Sequence, residues 1–415
     1  MDEQAIQAVL GSGADTGALL DGWEASQATL PTGAIFFLEP SYVATAVQEA
    51  GLDLALADAL AAVARRIAAD LAARALAWHV YHRLFQAPDV QGSAVERWPI
   101  PGALLGHDAA LLYPLALFGG LPDLRALYRA HIVPARVARD TLHDVQRWAD
   151  HYRRHHGVWG VAPAYLPWLR LHLRGELYAL GRLQFQLGPW TMPARAFRHR
   201  TSGAVVALSE EGVRYRADGQ RDGAGGLYDP ERAWTARLDM GAGWVVGHRI
   251  TPTGHALRVE TRLARAEWVE ALAPGDPALR LHIPRGAPLE PEACRRSLEE
   301  ALRFFPIHMP ERPFVAFACD SWLLDAQLDE LLPPSSNLVR FLRQLYLVPA
   351  SGDGEAALDW AFDGVPTDLA RAPRDTALRR ALLDHLQQGG HMRAGGGFLL
   401  PADLPAWGTD IYRTA

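Results

Sequence analysis

The stretch Ala278-Leu279-Arg280-Leu281-His282-Ile283-Pro284-Arg285-Gly286-Ala287-Pro288-Leu289-Glu290-Pro291 decides the fold. Its first six residues alternate, with Leu279, Leu281 and Ile283 on one face and Arg280 and His282 on the other. That is the pattern of a strand buried on one side. Pro284 and Gly286 then break it as a turn. Glu290–Phe305 opens with Pro291 and two glutamates, as a helix N-terminus prefers. It carries an apolar stripe through Cys294, Ser297, Leu298, Ala301, Leu302 and Phe305. Phe314–Cys319 reads as a second strand, followed by a short helix over Asp325–Leu332. Ser336 then stands where it would cap a helix over Asn337–Leu345. The order is βαβα, which implies two parallel neighbours in one sheet.

Upstream, the period changes near Gly160. Residues 180–263 read as an antiparallel meander, beginning with the alternating run Leu180–Leu187. Strand-like runs follow at Ala204–Leu208, Val213–Ala217, Ala233–Leu238, Trp244–Ile250 and His255–Leu263. Ser209–Gly212 and Thr251–Gly254 look like hairpin turns between them. Before Gly160 the chain reads as helical. Leu56, Leu60, Val63, Ile67, Leu71, Trp78, Tyr81 and Phe85 form one stripe. A helix over Ala135–His156, after Pro134 and ending at Gly157, buries Val137, Thr141, Val145, Trp148 and Tyr152. In the tail, Asp375–Gln388 reads as a helix and His391–Leu400, with Gly395–Gly397 inside, as a closing hairpin. The expected architecture is α/β (α+β). A helical N-terminal domain (1–160) precedes a mixed-sheet domain (161–350), which a C-terminal helix and hairpin (351–415) complete or extend.

Composition removes several functions. All 41 basic residues of the 415-residue chain are arginine. A Schiff-base or PLP lysine, a Walker-A lysine and a kinase strand lysine are therefore excluded. Any side chain that holds an anion through a permanent positive charge must be a guanidinium, a planar fork suited to phosphate or carboxylate. A net charge of −6 argues against nucleic-acid or anionic-membrane partners. Two cysteines, Cys294 and Cys319, allow no disulfide framework or CxxC metal site. His151 and His155 sit at i, i+4 but have no HExxH glutamate, so no metal is expected. There is no GxSxG elbow. The acidic N-terminus lacks a signal-peptide pattern, and the apolar run Ala109–Leu121 is too short to span a bilayer. The expectation is a soluble, cytoplasmic protein.

The turn after Ile283 lies between a strand end and a helix N-terminus, where free N–H groups and the helix dipole favour an anion. It reads either as an ordinary βα turn or as a phosphate cradle containing Arg285 and Gly286. Several blocks of this sequence resemble a bacterial family of acyltransferase-domain proteins. They are Ala278–Pro284, the helix with Cys294 and Ser297, Cys319–Leu324, Leu180–Phe185, Glu267-Trp268, Pro274–Asp276 and Leu332–Asn337. That family joins a helical N-acyltransferase N-terminal domain to a GNAT-like C-terminal domain.

The resemblance implies that Leu279–Ile283 splays from its parallel neighbour Phe314–Cys319, with acyl-CoA in the gap as co-substrate. It further implies that the pyrophosphate lies on Ile283, Arg285, Gly286 and Ala287. The superfamily's Arg/Gln-x-x-Gly-x-Gly/Ala spacing is not reproduced by Arg285-Gly286-Ala287. Amine acylation needs a base, a carbonyl donor and an acid for the thiolate. His282 is the candidate base, because imidazole titrates near neutrality; Glu260 and Glu267 are alternatives. Cys319 and Ser321 are placed to meet the leaving thiolate. Each also has a structural reading: His282 as a hydrogen-bonded neighbour and Ser321 as a helix cap. The expected function is acyl transfer from acyl-CoA, or from an acyl carrier protein, to a small-molecule or peptide acceptor. The alternative is a non-catalytic ligand-binding or scaffolding protein on the same frame.

Overall fold

Asp53 and Asp70 each turn a carboxylate onto an N–H group three residues ahead, those of Leu56 and Ala73. They thereby start the helices Leu54–Ala69 and Leu71–Tyr81. In this computed structural model, which describes residues 2–10, 14–87 and 92–413, the chain divides into two units, Met1–Leu180 and Gly181–Ala415. Because Asp70 leaves the helical region to make its cap, the stripe that reads as one helix is two, followed by a π-turn over His82–Gln86. The expected helix Ala135–His156 is also divided, into Ala135–Leu142 and Asp144–His156. The break seats the buried Asp144 carboxylate, which accepts hydrogen bonds from Trp148 Nε1, Trp168 Nε1 and Arg147. Gly157 ends the second helix at φ 74°, as expected. Gly102–Ala130 is apolar and long enough to cross a membrane, but its most apolar window is 78% buried. Ala109–Leu121 is buried throughout and forms core.

The first unit ends at Leu180 rather than near residue 160. Strand β1 (Leu177–Leu180) is tied into it where Ala179 N–H donates to Thr141 Oγ1 at 2.9 Å. The second unit holds β2 (Leu183–Pro189), β3 (Ala194–His199), β4 (Val205–Ser209), β5 (Arg214–Tyr215) and β6 (Trp234–Thr235). Then come β7 (Leu238–Asp239), β8 (Trp244–Ile250), β9 (Ala256–Ala264), β10 (Trp268–Leu272) and β11 (Pro277–His282). The last strands are β12 (Ala316–Ser321), β13 (Tyr346–Asp353) and β14 (Arg393–Leu399). Within this unit one sheet runs β2-β11-β12-β14-β13. A second runs β10-β3-β4-β8-β7 with β9 also on β8, and β5 pairs with β6 alone.

Three expectations change. The run Leu180–Leu187 belongs to no meander: β2 pairs antiparallel with β11, in the other sheet. The turn Ser209–Gly212 joins β4 to β5, which lie in different sheets, so it closes no hairpin. Both are misread for one reason: alternation shows that one face is buried, not which strand lies alongside. His391–Leu400 contains the single strand β14 and no hairpin, because both its edges are taken, by β12 and β13. The C-terminal residues thus complete the sheet. The helix after β11 spans Pro291–His308, and the one after β12 shortens to Leu328–Leu331 behind a 3₁₀ turn Trp322–Leu324. Ser336 precedes the helix Asn337–Leu342 without a side-chain cap bond.

Candidate functional site

Strands β11 and β12 run parallel and in register at Ala278–Ala316, Leu279–Phe317 and Arg280–Ala318. There the pairing stops, although both strands go on. Strand β11 continues to His282 with β2 on its other edge, and β12 continues to Ser321 with β14 on its other edge. The parallel pair is therefore open at its C-terminal end, as a splayed strand requires. Beyond Arg280 and Ala318, backbone groups on the two facing edges no longer meet each other.

Alternation gives the opened sheet two unlike faces. Leu279, Leu281, Phe317 and Cys319 share one face, and all are buried. The helix Pro291–His308 presents Cys294, Ser297, Leu298, Ala301 and Phe305, also buried, and Phe305 meets Phe185 edge-on at 6.4 Å. Ser297 Oγ accepts from Arg182 N–H at 2.7 Å and Leu183 N–H at 3.3 Å, and donates to Ala293 O. The hydroxyl so pins the helix to the start of β2. Burial pushes the thiols of Cys294 and Cys319 up to about 12. A thiol so placed stays protonated and apolar at neutral pH.

The opposite face carries Gln184, Gln186, Arg280, His282 and Asp320. The Nε2–H of His282 donates to Gln186 Oε1 at 3.2 Å. Arg280 lies along Gly188, where an added Cβ would stand 3.1 Å from Arg280 Cδ. Asp320 is open to solvent, yet burial by the surrounding protein pushes its carboxyl up, with Arg280 pulling it partly back. Gly396, the β14 partner of Asp320, would overlap Met192 Cε if it carried a side chain.

The expected site residues therefore separate. His282 faces the opening on the polar side, and Cys319 is on the buried side, away from it. Ser321 ends β12, but its Oγ accepts from Leu323 N–H at 3.2 Å and starts the 3₁₀ turn. Glu260 is in the other sheet, on β9 opposite His248 of β8. There it lines a recess of 610 Å³ with Trp234, Arg237, His248 and Arg258. Residue type and spacing alone assign Asp320 no role. The only signal for it was its place two residues beyond Ala318, and its significance needs the register with Arg280.

The loop from Ile283 to the helix exposes Gly286, at φ 122°, and Ala287. Arg285 is engaged: it pairs with Asp363, and its guanidinium sits 4.3 Å over the Trp360 ring. Arg182 reaches the same loop, donating to Pro288 O at 3.0 Å.

Residues 177–399 match the model of the GNAT-like C-terminal domain, and residues 43–175 that of the N-acyltransferase N-terminal domain. No curated protein matches the chain. Among solved structures, the chain is similar to an acyltransferase in complex with decanoyl-CoA and teicoplanin, at 21% identity and TM-score 0.65. An acyltransferase in complex with CoA and 10C-teicoplanin gives the same two values. An acyltransferase with decanoyl-CoA gives 22% and 0.63. Each likeness covers 96% of this chain and 99% of the other. At that identity they speak for the fold, and the match over residues 177–399 spans more than half of the sequence. The chain belongs to the family that joins an N-acyltransferase N-terminal domain to a GNAT-like C-terminal domain.

Proposed function

We propose that this protein transfers an acyl group from acyl-CoA directly to an amine or hydroxyl of a small molecule or peptide. The observation that carries this reading is the parallel pair that opens after Arg280 and Ala318. Strand edges without partners offer N–H and C=O groups to the amides of a pantetheine arm. A backbone N–H at the opening would also polarise the thioester carbonyl. The pyrophosphate would then meet Ile283, Arg285, Gly286 and Ala287, where the helix N-terminus favours negative charge. Arg285 serves there once Asp363 releases it. Solved structures of similar fold that hold decanoyl-CoA, one of them together with teicoplanin, support a medium-chain donor and a small-molecule or peptide acceptor.

Calorimetry with CoA, octanoyl-CoA and decanoyl-CoA tests the donor, and release of free CoA thiol tests turnover. Both cysteines of the chain are buried, so a thiol reagent applied to the folded protein reads CoA. Binding of all three ligands is expected; binding of none by folded protein overturns the reading. The ion pair between Arg285 and Asp363 favours the second reading, a non-catalytic protein on this frame, and the same titration decides between them.

A further inference from the structure

We infer that Asp320 takes the proton from the acceptor's ammonium group at the opened strand pair, on the sheet face that also carries Arg280. The inference rests on the acyl-transfer reading and gives it a base on β12, across the gap from His282.

Three observations converge on Asp320. It lies on the same face as Arg280 and His282, two residues beyond the last registered pair, on the strand that faces the opening. Among the described residues neither Asp320 nor Arg280 is committed to a hydrogen bond or an ion pair, unlike Arg285 and His282. And the Asp320 carboxylate is exposed, so an acceptor can reach it. Among the described residues, Arg280 is the charged group whose field acts on it. Arg280 and His282 stand on β11, Cys319 is adjacent on the buried face, and β2 and β14 present Gln184, Gln186, Gly396 and Phe398. Burial by the surrounding protein raises the carboxyl above its usual range and Arg280 opposes that, which keeps the anion available while making it a better base than a free aspartate.

The step balances. The acceptor's R–NH3⁺ gives one proton to the Asp320 carboxylate and becomes the nucleophile R–NH2. Its nitrogen bonds to the thioester carbon, and the C–S bond breaks with its electron pair going to sulfur. The CoA thiolate takes the second nitrogen-bound proton, leaving an amide and CoA thiol, and Asp320 returns its proton to solvent.

Two acceptors of unlike protonation separate this role from donor binding. With decanoyl-CoA at neutral pH, hydroxylamine is already a neutral nucleophile, whereas benzylamine is an ammonium ion. Asp320→Asn is expected to lower transfer to benzylamine roughly 10²- to 10⁴-fold, the usual weight of a general base. Transfer to hydroxylamine and binding of decanoyl-CoA should stay near wild type, which also shows that the variant is folded. Arg280→Gln should move the acid limb of the benzylamine pH–rate profile to higher pH, because it removes the charge that lowers the Asp320 carboxyl. Equal losses toward both nucleophiles, or an acid limb that survives Asp320→Asn, overturn the inference. So does a wild-type enzyme that acylates hydroxylamine alone. Transfer to neither nucleophile by wild-type protein counts against acyl transfer itself.

Discussion

The two faces of the opened sheet are built from consecutive residues and do opposite things. Cys319 and Asp320 are neighbours in β12, yet the thiol is buried on the face it shares with Phe317 and Leu281, while the next carboxylate is exposed on the other face. Gly395 and Gly396 repeat the contrast on β14. On the sealed side, a Cβ at Gly395 would overlap Leu324 O, a backbone atom; on the open side, Gly396 lies under the tip of Met192. The lesson is that access to solvent here follows the pleat. Along β12 successive side chains pass from buried, at Cys319, to exposed, at Asp320.

The largest test of that contrast is Gly395→Ala. Backbone cannot yield as a side-chain tip can, so the strand or the 3₁₀ turn must move, at a cost of about 3 kcal/mol or more. Loss of the folded protein, or a melting temperature lowered by many degrees, is expected. Gly396→Ala asks only that Met192 swing away and should cost about 1 kcal/mol or less. Similar melting temperatures for the two variants would break the distinction between the faces.

Ser297→Ala comes next. It leaves the N–H groups of Arg182 and Leu183 without their acceptor, and each such buried group costs about 1–3 kcal/mol. A denaturant midpoint clearly below wild type, restored by Ser297→Thr if the extra methyl is accommodated, is the expected result.

Much of this was legible from residue types alone. Leu279 and Leu281 against Arg280 and His282 gave the strand its two faces. The stripe from Cys294 to Phe305 named the helix that covers one of them, and the βαβα order required parallel neighbours. What could not be read were partners distant in sequence. Nothing in Leu183–Leu187 says that β2 lies beside β11, and the segment around Gly395–Gly397 reads as a hairpin until β12 and β13 are seen on either side. Asp363 lies 78 positions from Arg285, so the guanidinium looked free. Asp320 carries no mark in the sequence because, until register is known, a single acidic residue at a strand end looks like solvated surface.

Cys319→Ser sharpens the comparison from the chemical side. A buried hydroxyl without a partner costs about 1–3 kcal/mol, so stability should fall. Turnover per folded molecule should not, because the side chain is buried and stays protonated. A tenfold loss of turnover at unchanged melting temperature would place the thiol in the reaction after all.

The smallest expected effect belongs to Arg285. Its pairing with Asp363 is a partly exposed one, and such pairs hold side chains weakly, by about 1 kcal/mol or less. A pyrophosphate at the helix N-terminus should compete for the guanidinium, since charge-assisted hydrogen bonds to phosphate are the stronger kind. Arg285→Ala is therefore expected to weaken CoA binding about three- to tenfold, a modest loss because the guanidinium must leave Asp363 before it can meet the pyrophosphate. Asp363→Asn should tighten it slightly by freeing the guanidinium. If both variants bind CoA as wild type does, Arg285 belongs to the surface of the loop. Arg182, which already reaches Pro288 O from the other end of the same turn, becomes the cation to remove.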